Sequence, residues 1–184
     1  MSWKTHIEYT INKANRTLGF LRRNLYGCPK DLREQAYLSL VRSVLEYAAQ
    51  VWDPHNKTVI RSIEAVQNRG ARFVKRNHST YASVSQMIKD LQWESLETRR
   101  KHLRLVLMYQ GLNNLVAIPT SPIKPASRAA SRKQFKVIGT IKDPLKHSFY
   151  PSTIKEWNKL PAEVTGSSSV DIFRANLLAT AGRE

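Results

Sequence analysis

The side chains that could make bonds, break bonds or hold a metal in this 184-residue sequence are fourteen carboxylates, five histidines and one cysteine. Two-metal phosphoryl chemistry needs carboxylates gathered where they can hold divalent ions against a phosphate. Asp31, Asp53, Asp90, Asp143 and Asp171 are scattered instead, with no Asp-Asp or Asp-x-Asp pair. His6, His55, His78, His102 and His147 form no His-x-x-x-His pair and have no cysteine partner, so they read as exposed or phosphate-contacting rather than metal-binding. Cys28 follows a helical segment with no histidine near it in sequence and reads as an unpaired thiol. The seven glycines form no phosphate loop. The expectation is a chain that is not an enzyme by itself, with no catalytic residue, no metal and no cofactor.

What the sequence has in excess is positive charge. Thirty Lys and Arg stand against fourteen Asp and Glu, a formal charge of +16. Cations gathered near phosphates release condensed counterions on binding, so this balance points to RNA and/or DNA held through phosphate contacts. No carboxylate falls between Glu97 and Asp143, while Arg99, Arg100, Arg132 and Lys133 lie inside that gap. With 41% hydrophobic residues a core can form, and no apolar run is long enough to span a bilayer. No membrane partner is expected. The single cysteine and absence of a signal-peptide pattern imply an intracellular chain, in the nucleus and/or cytoplasm.

Helices must position these cations. Ile7, Ile11, Ala14, Leu18, Leu21 and Leu25 recur at spacings of three and four, predicting a helix from Trp3 to about Leu25 with Lys13, Arg16 and Arg23 on its far side. Gly27 and Pro29 stop it. A second helix is expected from Pro29 to Trp52, its apolar stripe from Leu32 to Val51 too wide for one contact, ended by Asp53-Pro54. The third, 57–77, turns Val59, Ile63, Val66, Phe73 and Val74 to the core, with Gly70 in the same stripe for close packing. On its other side Arg61, Arg69, Arg72, Lys75 and Arg76 fall within about 120° of arc, forming a basic rail.

Ser83 and Gln86 have capping-box spacing before a short helix, and Ser95 is placed to cap a longer one to about Leu115, buried on two faces except at its cationic first turns. Pro119, Pro122 and Pro125 break the periodicity and read as a stiff spacer. Phe135, Val137 and Ile141 alternate as a short strand would. Helices are then expected from Tyr150-Pro151 through Trp157, and from near Ser168 with Val170, Phe173 and Leu177 on one face. Of the four tryptophans, Trp3, Trp52, Trp93 and Trp157, three sit at helix ends next to apolar stripes, as core anchors do. The fold class is mainly α: a helical bundle over 1–118, a Pro/Ser/Arg-rich linker over 119–134 and a small, mostly helical module over 135–184.

Several segments resemble a known family. The residues Trp3-Lys-Thr-His-Ile, Ala14-Asn-Arg-Thr-Leu-Gly-Phe-Leu-Arg-Arg-Asn, Leu40-Val-Arg-Ser-Val-Leu-Glu-Tyr-Ala and Val51-Trp-Asp-Pro are similar to the region after the catalytic palm in reverse transcriptases of non-LTR retrotransposons, of the jockey and chicken-repeat group. The likeness continues through Ile63-Glu-Ala-Val-Gln-Asn-Arg-Gly-Ala-Arg-Phe-Val, Leu91-Gln-Trp-Glu-Ser-Leu-Glu-Thr-Arg-Arg and Phe149-Tyr-Pro-Ser-Thr-Ile-Lys-Glu-Trp-Asn-Lys-Leu-Pro. The resemblance implies a thumb-like helical region and C-terminal segment that grip template and primer. It places the catalytic aspartates in a palm upstream of Trp3 and makes that palm a partner. Met1 directly before the first helix then fits a truncated copy, or a reading frame begun inside a longer one.

A nucleic-acid-binding surface of Arg16, Arg23, Arg61, Arg69, Arg72, Lys75 and Arg76, extended by Arg99, Arg100, Arg132 and Lys133, is therefore expected, reading backbone shape rather than bases. The alternative is a non-catalytic helical interaction or structural module derived from a retroelement.

Overall fold

A computed structural model describes residues 3–126, 134–139 and 146–181. Within them the protein is mainly helical. Among the described residues there is no strand: the expected alternation at Phe135, Val137 and Ile141 reduces to one antiparallel bridge between Phe135 and Pro125, and Ile141 lies outside the described residues. Asn158 supplies Phe135 with the pairing a second strand would give, its Oδ1 accepting from the Phe135 N–H at 3.0 Å and its Nδ2 donating to the Phe135 carbonyl at 2.7 Å. No helix among the described residues is long and apolar enough to cross a membrane.

The chain divides into two compact units, Met1–Arg100 and Lys101–Glu184. The boundary therefore lies upstream of the expected linker at 119–134, within a helix. Prolines mark where the backbone stops being helical; they do not mark which core a side chain joins. Leu105, Val106, Met108 and Tyr109, expected in the first domain, belong to the core of the second unit with Ile154, Trp157, Val164, Phe173 and Leu177.

In the first unit, α1 (Lys4–Asn24) buries Ile7, Ala14, Leu18 and Leu21, as its spacing requires. The expected second helix is interrupted. It consists of α2 (Lys30–Tyr37), a π-turn (Leu38–Arg42), α3 (Ser43–Glu46) and α4 (Ala49–Trp52). The buried residues Tyr37, Val41, Leu45 and Ala49 are spaced by four. In a regular helix that spacing drifts about 40° per step, and the wider π-turn takes up part of the drift. Ala48 is left-handed (φ 50°), and the indole N–H of Trp52 donates to the Tyr47 carbonyl at 3.0 Å, occupying a group the break releases. The buried stripe is consequently narrower than expected: Leu32, Leu40 and Val51 are exposed.

Helix α5 (Lys57–Lys75) is capped by the Asn56 side chain, which accepts from the Thr58 and Val59 N–H groups, and it buries Ile63, Val66, Gly70, Phe73 and Val74. Gly70 is required by its neighbour: a Cβ there would stand 2.2 Å from the Tyr37 ring. That ring stacks on Trp93 at 4.6 Å between centroids. Ser83 caps α6 (Val84–Asp90), and Ser95 accepts from the Thr98 N–H in the first turn of α7 (Leu96–Leu112).

The second unit contains the rest of α7 with α8 (Phe149–Trp157), α9 (Ala162–Thr165) and α10 (Val170–Ala181). Phe173 lies between Tyr109 and Trp157, with ring centroids 4.5 and 5.7 Å away. Trp52, Trp93 and Trp157 are buried, while Trp3 is exposed.

Candidate nucleic-acid interface

Helices α1 and α5 run side by side in the same direction. Arg69 donates from Nε and Nη2 to the Asn15 side-chain oxygen, at 3.2 and 2.9 Å. Further along, Gly19 and Arg22 share a cleft with Phe73, and the Arg76 guanidinium lies 4.6 Å from the centre of the Tyr26 ring. On the solvent side of α1, Tyr9, Lys13, Arg16, Phe20 and Arg23 occupy about 80° of arc. All five are exposed, Tyr9 to 59% and Phe20 to 56%. Three cations and two aromatic rings thus share one edge of the helix. The stripe contains no carboxylate.

The sequence-predicted cations separate into distinct groups. Arg16, Arg23 and Arg61 are exposed and make no hydrogen bond or ion pair with any described residue. Arg69, Arg72 and Arg76 keep their charge but are oriented by neutral partners: Asn15, the Ser79 carbonyl at 2.8 Å and the Tyr26 ring, respectively. Lys75 departs from expectation, because its ammonium pairs with Asp90 at 3.0 Å. The hydrogen bond from Gln86, followed by that from Lys75, holds the Asp90 carboxyl below the usual carboxylate range. The rail is therefore broken at this position.

Arg99 and Arg100 also leave the predicted surface. Arg99 is bonded to both carboxylate oxygens of Glu46 and lies 3.8 Å from Glu94. Arg100 is 1% exposed, with Nε 2.7 Å from Asp53. Burial weakens its hold on the proton, while the charges of Glu64, Glu97 and Glu46 act in the opposite direction. The first turn of α7 is therefore a structural junction within the first unit, not a cationic surface. Arg132 and Lys133 lie outside the described residues.

Beside the α1 stripe is a cleft of about 420 Å³ where α1, α2 and the end of α5 meet. Arg22, Arg23, Arg33 and Arg76 line it with His78, and no carboxylate does. Arg33 is buried; its Nε and Nη2 donate to the Val74 carbonyl at 3.2 and 2.7 Å and its Nη1 to the Cys28 carbonyl at 2.8 Å. Burial, then the charge of Arg76, lowers its proton affinity, against an opposing effect of Cys28. Arg76 closes α5 in the left-handed conformation (φ 52°), with its N–H bonded to the Phe73 carbonyl and the Asn77 N–H bonded to the Arg72 carbonyl. Glycine is the usual residue at such a helix end.

Sequence reasoning missed Tyr9, Phe20, Arg22, Tyr26 and Arg33. The two α1 aromatics were legible, since positions 9, 13, 16, 20 and 23 follow helical spacing. Arg33 carried no local signal, because its carbonyl partner on Val74 is 41 residues away. Among the described residues, no group of three or more His, Cys, Asp or Glu side chains is placed to hold a metal ion.

Comparison with protein-family models, curated proteins and solved structures gave no match in any of the three.

Proposed function

We propose that the chain binds RNA and/or DNA through backbone phosphates, using the outer edge of α1 together with Arg61, Arg69, Arg72 and Arg76 of α5. The observation that carries this reading is the exposed α1 stripe, where Lys13, Arg16 and Arg23 share one edge with Tyr9 and Phe20. Cations spaced along a helix edge suit successive phosphates, and exposed rings beside them suit unpaired or terminal bases, which stack without regard to sequence. The sequence resemblance supplies a biological setting. In that setting the chain is the thumb-like C-terminal part of a non-LTR retrotransposon reverse transcriptase, and bond formation belongs to an upstream palm.

A second reading, a helical interaction module, is favoured by one feature. Leu40, Tyr47 and Val51 are 50%, 80% and 62% exposed within the segment between α1 and α5. Fluorescence anisotropy with duplex RNA, duplex DNA and an RNA–DNA hybrid separates the readings. Nucleic-acid binding predicts an affinity that falls linearly with salt on a double-logarithmic plot, with little dependence on base sequence. Indifference to all three duplexes at low ionic strength, together with self-assembly seen by light scattering, would replace it with the interaction module.

A further inference from the structure

We propose that the arginine-lined cleft at the junction of α1, α2 and α5 binds the terminal phosphate monoester of a nucleic-acid strand, an inference that rests on the reading of the α1 edge as a strand-binding surface. The stripe and the cleft have different shapes, and each shape suits a different phosphate. A continuous backbone can pass along an open helix edge. The cleft, at about 420 Å³, is a concave surface open to solvent, floored by the buried Arg33 and Phe73 and rimmed by exposed Arg22, Arg23 and Arg76.

The charge in the cleft favours a monoester. An internal phosphodiester carries one negative charge, whereas a terminal phosphate carries about −1.5 to −2 and three strong acceptor oxygens. Arg22, Arg23, Arg33 and Arg76 converge on the cleft without a lining carboxylate. Arg33 contributes a fixed charge, because its hydrogen bonds to Val74 and Cys28 hold it in the wall. Arg22 and Arg23 make no hydrogen bond or ion pair with a described residue, so their donors remain for a ligand. Arg76 is held at the cleft by a left-handed backbone and the face of Tyr26.

His78 provides an internal probe. Partial burial, then the charges of Arg22 and Arg72, lowers its proton affinity below the ordinary value. The charged groups around it are Arg22 and Arg23 from α1, Arg33 from α2 and Arg72 and Arg76 from α5, all positive. A bound dianion would offset them and move the His78 titration to higher pH.

The test measures binding of the full chain to one single-stranded oligonucleotide prepared with a 5′-phosphate, a 3′-phosphate or hydroxyl ends, at one salt concentration. One phosphorylated end is expected to bind about tenfold more tightly than the hydroxyl-ended strand. Arg22→Gln removes a cleft donor, and Gly19→Leu fills the cleft beside the Arg23 guanidinium while preserving every charge. Each should abolish that preference, and Arg22→Gln should do so without changing affinity for the hydroxyl-ended strand, with circular dichroism confirming the helical content.

Equal wild-type affinity for all three strands overturns the cleft proposal and leaves strand binding by the α1 edge standing. If no strand binds, the strand-binding reading fails, and with it the strand-end assignment. Inorganic phosphate and adenosine 5′-monophosphate form the remaining arms. If either matches the phosphorylated strand in affinity, the ligand is a small free phosphate species and the strand-end assignment is overturned. A His78 titration followed by NMR that does not rise with any phosphate overturns the anion site itself.

Discussion

Arg16, Arg23 and Arg61 on the α1 and α5 surface share a residue type with Arg99 and Arg100 at the start of α7, yet their surroundings are opposite. The former are exposed and make no ion pair with any described residue. Of the latter, one is bound by Glu46 and the other is buried against Asp53. Long-range packing decides which cations can meet a phosphate. A buried guanidinium is already committed to its carboxylate, and withdrawing it would leave an uncompensated charge behind. An exposed one can exchange water and counterions for a ligand at little structural cost.

Arg100→Ala should lower unfolding free energy by about 3 kcal/mol, because it removes the guanidinium 2.7 Å from the Asp53 carboxylate and empties space that the arginine stem fills. Urea denaturation measures this loss, and the salt dependence of strand binding should remain that of the wild type. A folded Arg100→Ala protein with altered salt dependence would return this residue to the binding surface.

A smaller effect sharpens the distinction at the cleft. Arg76→Gly removes the Cβ penalty of a left-handed residue, about 1 kcal/mol. It also removes the cation–π contact with Tyr26, about 0.5 to 1 kcal/mol. Stability should therefore stay within about 0.5 kcal/mol of wild type, the difference between these nearly equal contributions. Affinity for a phosphate-terminated strand should fall several-fold. A thermal melt and a binding titration on the same sample check both outcomes, and unchanged affinity would confine Arg76 to ending its helix.

These contrasts also show what the sequence could reveal. Ile7, Ala14, Leu18 and Leu21 were legible because helical periodicity is local, and Gly70 because a lone glycine in an apolar stripe implies close approach. The mainly helical class followed from the same periodicities. The fate of Arg99 and Arg100 was not legible: Glu46 and Asp53 lie 53 and 47 residues away, and composition registers only the local excess of cations. Lys75 was misplaced for a related reason, since helical geometry gives a side-chain direction without showing that Asp90 waits there. The break at Tyr47 and Ala48 was hidden in a segment without glycine or proline, where the Trp52 indole supplies a bond that periodicity cannot register. The unit boundary inside α7 depends on how Leu105 and Met108 pack, which the prolines downstream do not report.

The most direct test of exposed, uncommitted cations as the strand-binding groups is the salt dependence of duplex DNA binding by an Arg16→Gln, Arg23→Gln, Arg61→Gln triple variant beside wild type. Each lost phosphate contact should flatten the double-logarithmic slope by about 0.9, giving an expected reduction of about 2.7 with the fold retained. A slope identical to that of the wild type would contradict it.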